Sequence, residues 1–502
     1  MPFIIIVGIL LRLSYIIKPE GLWNDEYVSW MVANTPFADG FWTAVIKQCH
    51  MPLYYLYLKP FAGFSDLILR LTSVVPGVLA IPVMYFAGKE YSKKTGYIAA
   101  AVTSVLSFAV YYSQEVRFYS LLLLLSALLL LFTLRAIKEP SKKNLVLFNL
   151  TSILVIFTHV LGIIFVCFNY IYFIYKQKWL SELSLKKKII YAVSLAAVLM
   201  LLLPLGLNIL SQLPFAQWWG KFTYTNILFM FSDFLSPVLT NNINCPPVFF
   251  YNADFALFMT LPTLLAVVCI IFGIKQNKGF AVVSLLTVIT LAVLAKTGMI
   301  VFITKYAIEI LPTLIILLAC GAVKLGRAGN VLVMLFIAFH LLSFFSPFYV
   351  TKIVRGEGHR IVGEILNARK PQNVIFTYYS PDRFRRYADL DGIKTYDISK
   401  TNRFAYLDNP EKILHQIPKG DTFSLVILNT VSFYTEDDLK NKDLNIPEQF
   451  ATYSQIKNKL YKEIENGNYS VLHDDTYGAW TVLTVRAKPH LKRGRPQMQE
   501  RQ

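Results

Sequence analysis

Leu22-Trp23-Asn24-Asp25-Glu26-Tyr27 follows directly on the apolar run from Phe3 to Ile17 and sets two acids where the chain has just left hydrocarbon. The chain around that pair is greasy: 55% of residues are hydrophobic and only 16% charged, with a mean hydropathy of +0.48. Charged side chains next to a bilayer are costly and mark function by default. The pattern is that of a polytopic membrane protein.

A crossing helix needs roughly 20 mostly apolar residues and must satisfy its own backbone. Blocks meeting that demand lie near 3–17, 67–87, 97–112, 118–137, 145–158, 160–175, 189–210, 254–274, 279–295, 306–323 and 329–348. They predict about eleven transmembrane helices in an all-α domain over residues 1–350. The stretch 145–175 reads as two short helices turning near His159, because one long helix would put Lys142-Lys143 and Lys186-Lys187-Lys188 on opposite sides.

The formal net charge is +18. Spread over a soluble surface it would suggest nucleic acid, but here the lysines gather in alternate short loops (Lys89, Lys93, Lys94; Lys142, Lys143; Lys275, Lys278; Lys324, Arg327). Those loops read as cytoplasmic and no nucleic-acid partner is expected. The opposite loops, 18–66, 113–117, 211–253 and 296–305, and the carboxyl-terminal segment read as extracytoplasmic. Phe3 to Ile17 lacks an Ala-x-Ala site and reads as a retained helix.

Beyond Tyr349 the apolar runs shorten and charge rises. Residues 351–486 read as a small α/β domain: helices at Val354 to Lys370, Pro381 to Leu390 and Glu448 to Asn466, strands at Asn373 to Tyr378, Ile393 to Ile398, Phe423 to Leu428 and Ala479 to Val485. Residues 487–502 read as a basic disordered tail. Cys167, Cys269 and Cys320 fall in spans as small hydrophobes, whereas Cys49 and Cys245 lie in outward loops where a disulfide is open.

The loop 18–66 is too long for a passive turn. Asn24 can cap a short helix carrying Tyr27, Val28, Trp30 and Met31, and Phe41 to Ile46 forms a second amphipathic piece. Asp25 and Glu26 then have two readings: complements to a helix N-terminus, or a general base for an acceptor hydroxyl. In Tyr111-Tyr112-Ser113-Gln114-Glu115-Val116-Arg117-Phe118-Tyr119-Ser120, the acid and the arginine either neutralise each other or hold a ligand, Arg117 by a forked contact to phosphate and Glu115 by orienting it or a sugar hydroxyl. Lys305-Tyr306 either snorkels or binds a lipid phosphate. His50 and His159 read as ordinary hydrogen-bonding residues. Arg12 stands mid-span without an evident partner; apart from it, the ionisable groups gather at the outer edge. No P-loop, G-x-G-x-x-G, G-x-S-x-G, H-E-x-x-H or paired C-x-x-C is present.

Taken in order, Arg12, Trp23-Asn24-Asp25-Glu26-Tyr27, His50-Met51-Pro52-Leu53-Tyr54-Tyr55, Tyr112-Ser113-Gln114-Glu115-Val116-Arg117-Phe118-Tyr119-Ser120-Leu121 and Lys305-Tyr306 resemble the polyprenyl-phosphate-sugar-dependent membrane glycosyltransferases of the GT-C fold. That group holds protein O-mannosyltransferases, lipid A aminoarabinose transferases and rhizobial lipopolysaccharide core transferases. The resemblance covers roughly residues 1 to 180 well, is looser through Lys305-Tyr306-Ala307-Ile308-Glu309-Ile310-Leu311-Pro312, and is weak over the soluble domain.

It implies inverting transfer of one sugar from a polyprenyl-phosphate donor to a lipid, glycan or protein acceptor, on the extracytoplasmic face of a bacterial inner membrane. Asp25 would be the base with Glu26 beside it. Arg117 and Lys305 would hold the phosphate, helped by Gln114, Glu115, Tyr119, Tyr306 and His50. This sequence departs from the pattern at Met51-Pro52, where the family often has Pro-Pro, and at Lys305, where it often has arginine. Metal use varies within the fold; His50, Glu26 and Glu115 could supply ligands to a divalent metal, but no spacing demands one. Two other functions stay open: a ligase transferring a whole lipid-linked glycan, and a flippase without chemistry.

Overall fold

A computed structural model describes residues 1–18, 21–48, 50–176, 222–237, 253–300, 302–345, 358–377, 381–397, 411–428, 448–466, 468–477 and 480–488. The chain divides into two compact units: Met1–Ile17 with Asp25–Val354, and Lys18–Asn24 with Arg355–Gln502. Each is built around its own core.

The first unit is helical. Helix α1 (Pro2–Leu13) precedes three short helices of the first loop, α2 (Asn24–Asn34), α3 (Phe41–Lys47) and α4 (Leu53–Leu58). Then come α5 (Asp66–Lys89), α6 (Lys93–Val105), α7 (Ser107–Tyr112), α8 (Tyr119–Lys138), α9 (Lys142–Thr158) and α10 (Gly162–Lys176). They are followed by α11 (Thr225–Leu235), α12 (Ala253–Ile274), α13 (Lys278–Lys296), a 3-10 segment Thr304–Ile310 running into α14 (Leu311–Lys324), and α15 (Arg327–Ser343). Five of the described helices are long and apolar enough to cross a membrane: Asp66–Lys89, Tyr119–Lys138, Leu257–Ile274, Lys278–Lys296 and Thr304–Lys324. At 1.5 Å per residue α5 reaches about 36 Å, more than the hydrocarbon thickness. The block 189–210 and the pair Cys49 and Cys245 lie outside the described residues.

Turning at His159 gives two helices, α9 and α10, as the charge pattern required. The block 97–112, by contrast, is no single helix. It breaks at Leu106 (ψ 113°), so α6 ends at Val105 and α7 starts at Ser107. A break in hydrocarbon exposes backbone groups that must find partners. Arg12 supplies them: its guanidinium donates to the carbonyls of Ser104 (3.0 Å) and Thr103 (3.0 Å), and Nε to Ser113 Oγ (3.2 Å). On the other side of the break, Ser107 N–H donates to His340 Nδ1 at 3.2 Å, which makes Nε2 the protonated nitrogen, facing the Leu235 carbonyl at 3.3 Å. Gly77 of α5 makes room for this arrangement, since a Cβ there would stand 3.0 Å from Arg12 Nε and closer still to Ser113.

Helices α12 and α14 touch through glycines: a Cβ on Gly273 would collide with the Leu317 carbonyl, and one on Gly321 with that of Cys269. Such small-residue contacts let helix backbones approach in lipid. Cys269 and Cys320 are buried here, while Cys167 is exposed on α10. Arg70, four residues into α5, and Glu309, in the 3-10 segment, are also buried.

The second unit holds helix α16 (His359–Arg369) and strands β1 (Asn373–Phe376), β2 (Lys394–Asp397) and β3 (Thr422–Leu428). After the short helix α17 (Glu411–Leu414) and α18 (Glu448–Glu465) come β4 (Tyr469–Tyr477) and β5 (Trp480–Ala487). The sheet order is β2-β1-β3-β5-β4, with β1 parallel to both neighbours and β5 antiparallel to both of its own. Val374, Phe376, Phe423, Leu425, Leu460 and Val485 form its core.

Pro381 to Leu390 is not the expected helix. Only Pro381–Arg383 makes a 3-10 turn; the Asn367 amide takes the Tyr387 carbonyl (3.0 Å) and the Asp389 N–H (2.8 Å), the latter a donor that a helix would turn to the Arg385 carbonyl. Strand β4 is an addition; its centre, His473-Asp474-Asp475, hides the alternation, as suits a bulged edge strand. Residues 18–24 join this unit: Leu22 N–H donates to Tyr387 Oη and His359 Nδ1 to the Leu22 carbonyl, both at 2.8 Å. Burial pushes the His359 pKa down to about 4.

Candidate active site

Helix α2 begins at Asn24, so Asp25 and Glu26 fall in its first turn. There they point to different partners. Glu26 is fully buried and receives a forked contact from Arg70 of α5, Nε at 3.0 Å and Nη2 at 2.8 Å. It also accepts the Val116 N–H at 3.0 Å. Two oxygens holding three donors leave Glu26 little capacity for chemistry. It ties the first loop, α5 and the turn 113–118 together.

Asp25 is 23% exposed and lies among cations. Lys305 Nζ stands 3.0 Å from its Oδ2, and Arg117 Nη2 stands 4.0 Å from the same atom. Arg117 Nη1 donates to the Asp25 carbonyl at 3.3 Å and to Ser29 Oγ at 3.2 Å, so α2 and the turn fix each other. Burial opposes the charge on Arg117, but Asp25 and the surrounding tyrosines outweigh it and hold its pKa above the ordinary value.

His50 closes the other side of Arg117. Its Nδ1 lies 2.7 Å from Tyr55 Oη and its Nε2 3.5 Å from Arg117 Nη2. A guanidinium can only donate, so Nε2 is the acceptor and Nδ1 carries the hydrogen toward Tyr55. Burial first, and Arg117 second, push the His50 pKa well below its ordinary value. Neutral His50 therefore orients Arg117 and adds no charge to the cradle.

An aromatic wall surrounds these groups. Lys305 Nζ lies 5.5 Å from the Tyr119 ring centre and 6.0 Å from that of Tyr306, and the Arg117 guanidinium 5.2 Å from Phe118. Such contacts favour a cation while leaving its donors for a ligand. Asp233 of α11 accepts from Thr304 Oγ1 at 2.8 Å and so anchors the residue before Lys305.

Of the residues expected from sequence, Asp25, Arg117, Lys305, His50, Tyr119 and Tyr306 come together. Glu115 is buried in the same turn. Gln114 is engaged elsewhere, its amide donating to the carbonyls of Leu11 and Ser14 at the end of α1. Arg70, Ser29, Tyr55 and Asp233 were not foreseen. Arg70 carried a signal: an arginine inside the span 67–87 needs an acidic partner, and Glu26 is one.

Of the three side chains that could supply metal ligands, His50, Glu26 and Glu115, the first two are engaged by other partners. Glu26 is consumed by Arg70 and Val116, His50 turns one nitrogen to a guanidinium, and no three His, Cys, Asp or Glu side chains converge among the described residues.

Residues 54–207 match the family model described as dolichyl-phosphate-mannose-protein mannosyltransferase. No curated protein sequence matches the chain. Its fold is similar to that of ArnT from Cupriavidus metallidurans: the apo structure superposes with a TM-score of 0.53 at 12% identity, covering 96% of this chain and 97% of that one. The structure of the same protein bound to undecaprenyl phosphate gives 0.50 at 13% identity, with 96% and 97% covered. The chain thus has the GT-C fold of the membrane glycosyltransferases.

Proposed function

We propose that the chain is an inverting glycosyltransferase that moves one sugar from a polyprenyl-phosphate donor to an acceptor hydroxyl at the extracytoplasmic face of the membrane. The observation that carries this reading is the partly exposed Asp25 carboxylate between Lys305 and Arg117. A phosphate leaving group needs fixed positive charge more than a proton, and Arg117 and Lys305 provide it where carbon–oxygen cleavage builds negative charge.

The acceptor oxygen attacks the anomeric carbon and the bond to the phosphate oxygen breaks through an oxocarbenium-like transition state. Asp25 takes the acceptor's proton, and the polyprenyl phosphate leaves with the bonding electrons. The donor phosphate must draw Lys305 and Arg117 away from Asp25, which frees the carboxylate to act as a base. The ArnT structure bound to undecaprenyl phosphate supports a donor of this class. Glu26 serves as the strut behind Asp25, and envelope lipids, glycans or proteins are the acceptor classes.

The test is transfer by purified protein in lipid nanodiscs, from radiolabelled undecaprenyl-phosphate sugars to envelope extracts. A covalent product one sugar heavier than its acceptor supports the reading. Products that grow with donor glycan length would instead indicate a ligase, and relocation of label with no new bond a flippase.

A further inference from the structure

His159 caps α9 and starts the turn to α10. Its imidazole stacks on Phe118, with centres 5.0 Å apart and planes inclined by 23°, and faces the Tyr306 ring at 5.6 Å. Phe118 is also the ring that meets Arg117 at 5.2 Å and His50 at 5.3 Å. His159 therefore stands one aromatic ring from the cationic cradle.

The His159 side chain is 4% exposed, and its Nδ1 has no hydrogen-bond partner among the described residues. A buried polar nitrogen left without a partner calls for a physical reason, and a ligand that completes it is one. Burial, with Arg117 second, pushes its pKa down to about 3, so the ring is neutral at working pH. Neutral imidazole offers one donor and one acceptor. It adds no charge to balance a phosphate or a sugar carboxylate, and a hydroxyl, which can donate or accept, completes Nδ1 in either tautomer.

Resting on the donor reading above, we propose that His159 hydrogen-bonds a hydroxyl of the donor's sugar and so selects a neutral, hydroxylated hexose on the lipid phosphate. The phosphate is held by Arg117 and Lys305, and the sugar is read one ring further along by a side chain that carries no charge.

Binding to the full chain in nanodiscs tests this, with undecaprenyl phosphate alone and a panel of its neutral hexose conjugates (glucose, mannose, galactose) as probes. The native protein should hold its preferred conjugate about tenfold more tightly than the bare lipid, the effect of one well-placed hydrogen bond. His159→Phe keeps the stacked ring but removes both nitrogens; it should bind bare lipid as the native protein does and lose the preference. His159→Asn, which retains an amide, should keep part of it. An unchanged preference in His159→Phe overturns the inference while leaving the donor reading intact. If both variants lose bare-lipid affinity, His159 belongs to the phosphate cradle or the fold, and the inference is likewise overturned. A native protein that binds no member of the panel, bare lipid included, overturns the donor reading itself.

Discussion

Lys305 Nζ and Asp25 Oδ2 lie 3.0 Å apart although 280 residues separate them in the chain. The first loop and the late 3-10 segment thus meet at one carboxylate, and the turn holding Arg117 completes the group. An anion able to compete with Asp25 for two cations fits this arrangement, as does a hydroxyl brought to the carboxylate it releases.

Arg117→Ala should weaken undecaprenyl phosphate binding by about tenfold to a hundredfold, the range expected when a charge-assisted contact is lost. Arg117→Lys should recover only part, because an ammonium keeps the charge but not the fork. Equilibrium binding in nanodiscs checks both, and unchanged affinity in Arg117→Ala would remove the residue from the cradle.

Arg70→Ala leaves the Glu26 carboxylate buried without its main partner, at a cost of about 3–5 kcal/mol. Combining it with Glu26→Gln should cost less than the sum of the single changes, since Gln retains an acceptor for the Val116 N–H. Thermal unfolding of the three variants in one detergent measures the coupling; strict additivity would mean that the pair does not act as a unit.

The two histidines beside the cradle, His50 and His159, make stability depend on pH. Folding pushes His159 down to about 3 and His50 well below its ordinary 6.5, so the unfolded chain binds protons first as pH falls. Their contribution is complete above about pH 6.5 and is lost below it, at about 1.4 kcal/mol per pH unit for each group. His159→Phe should flatten the fall in unfolding midpoint between pH 6.5 and 4.5; an unchanged slope would mean that the ring is not held neutral.

Arg12→Met should destabilise the first unit more than a change in an exposed arginine. It strips the Thr103 and Ser104 carbonyls of their donors at the break between α6 and α7. Thermal unfolding alongside Arg327→Met provides the comparison, and equal effects would contradict a capping role.

Much of this architecture was legible before any coordinates. Hydropathy marked the helices because lipid demands length and apolarity together, and the lysine pattern split the stretch 145–175 at His159. The residues that gather around Asp25 were named because each motif pairs charge with aromatics next to a span. Breaks and internal pairings were less visible. Nothing in an apolar run announces that Leu106 ends a helix, since the partners that permit the break, Arg12 and His340, lie far along the chain. Glu26 looked like a twin of Asp25 until Arg70 appeared behind it, and the acids of β4 concealed a strand at the sheet edge. Asn367 holds the stretch after Pro381 through contacts that local propensity does not encode.

The most direct measurement pairs donor binding with turnover in Asp25→Asn, using purified protein in nanodiscs and a radiolabelled undecaprenyl-phosphate sugar. The expected result is donor affinity at or above the native level with transfer reduced at least a hundredfold, the lower end of what a general base contributes. Ordinary transfer by Asp25→Asn would contradict the assignment of Asp25 as the base.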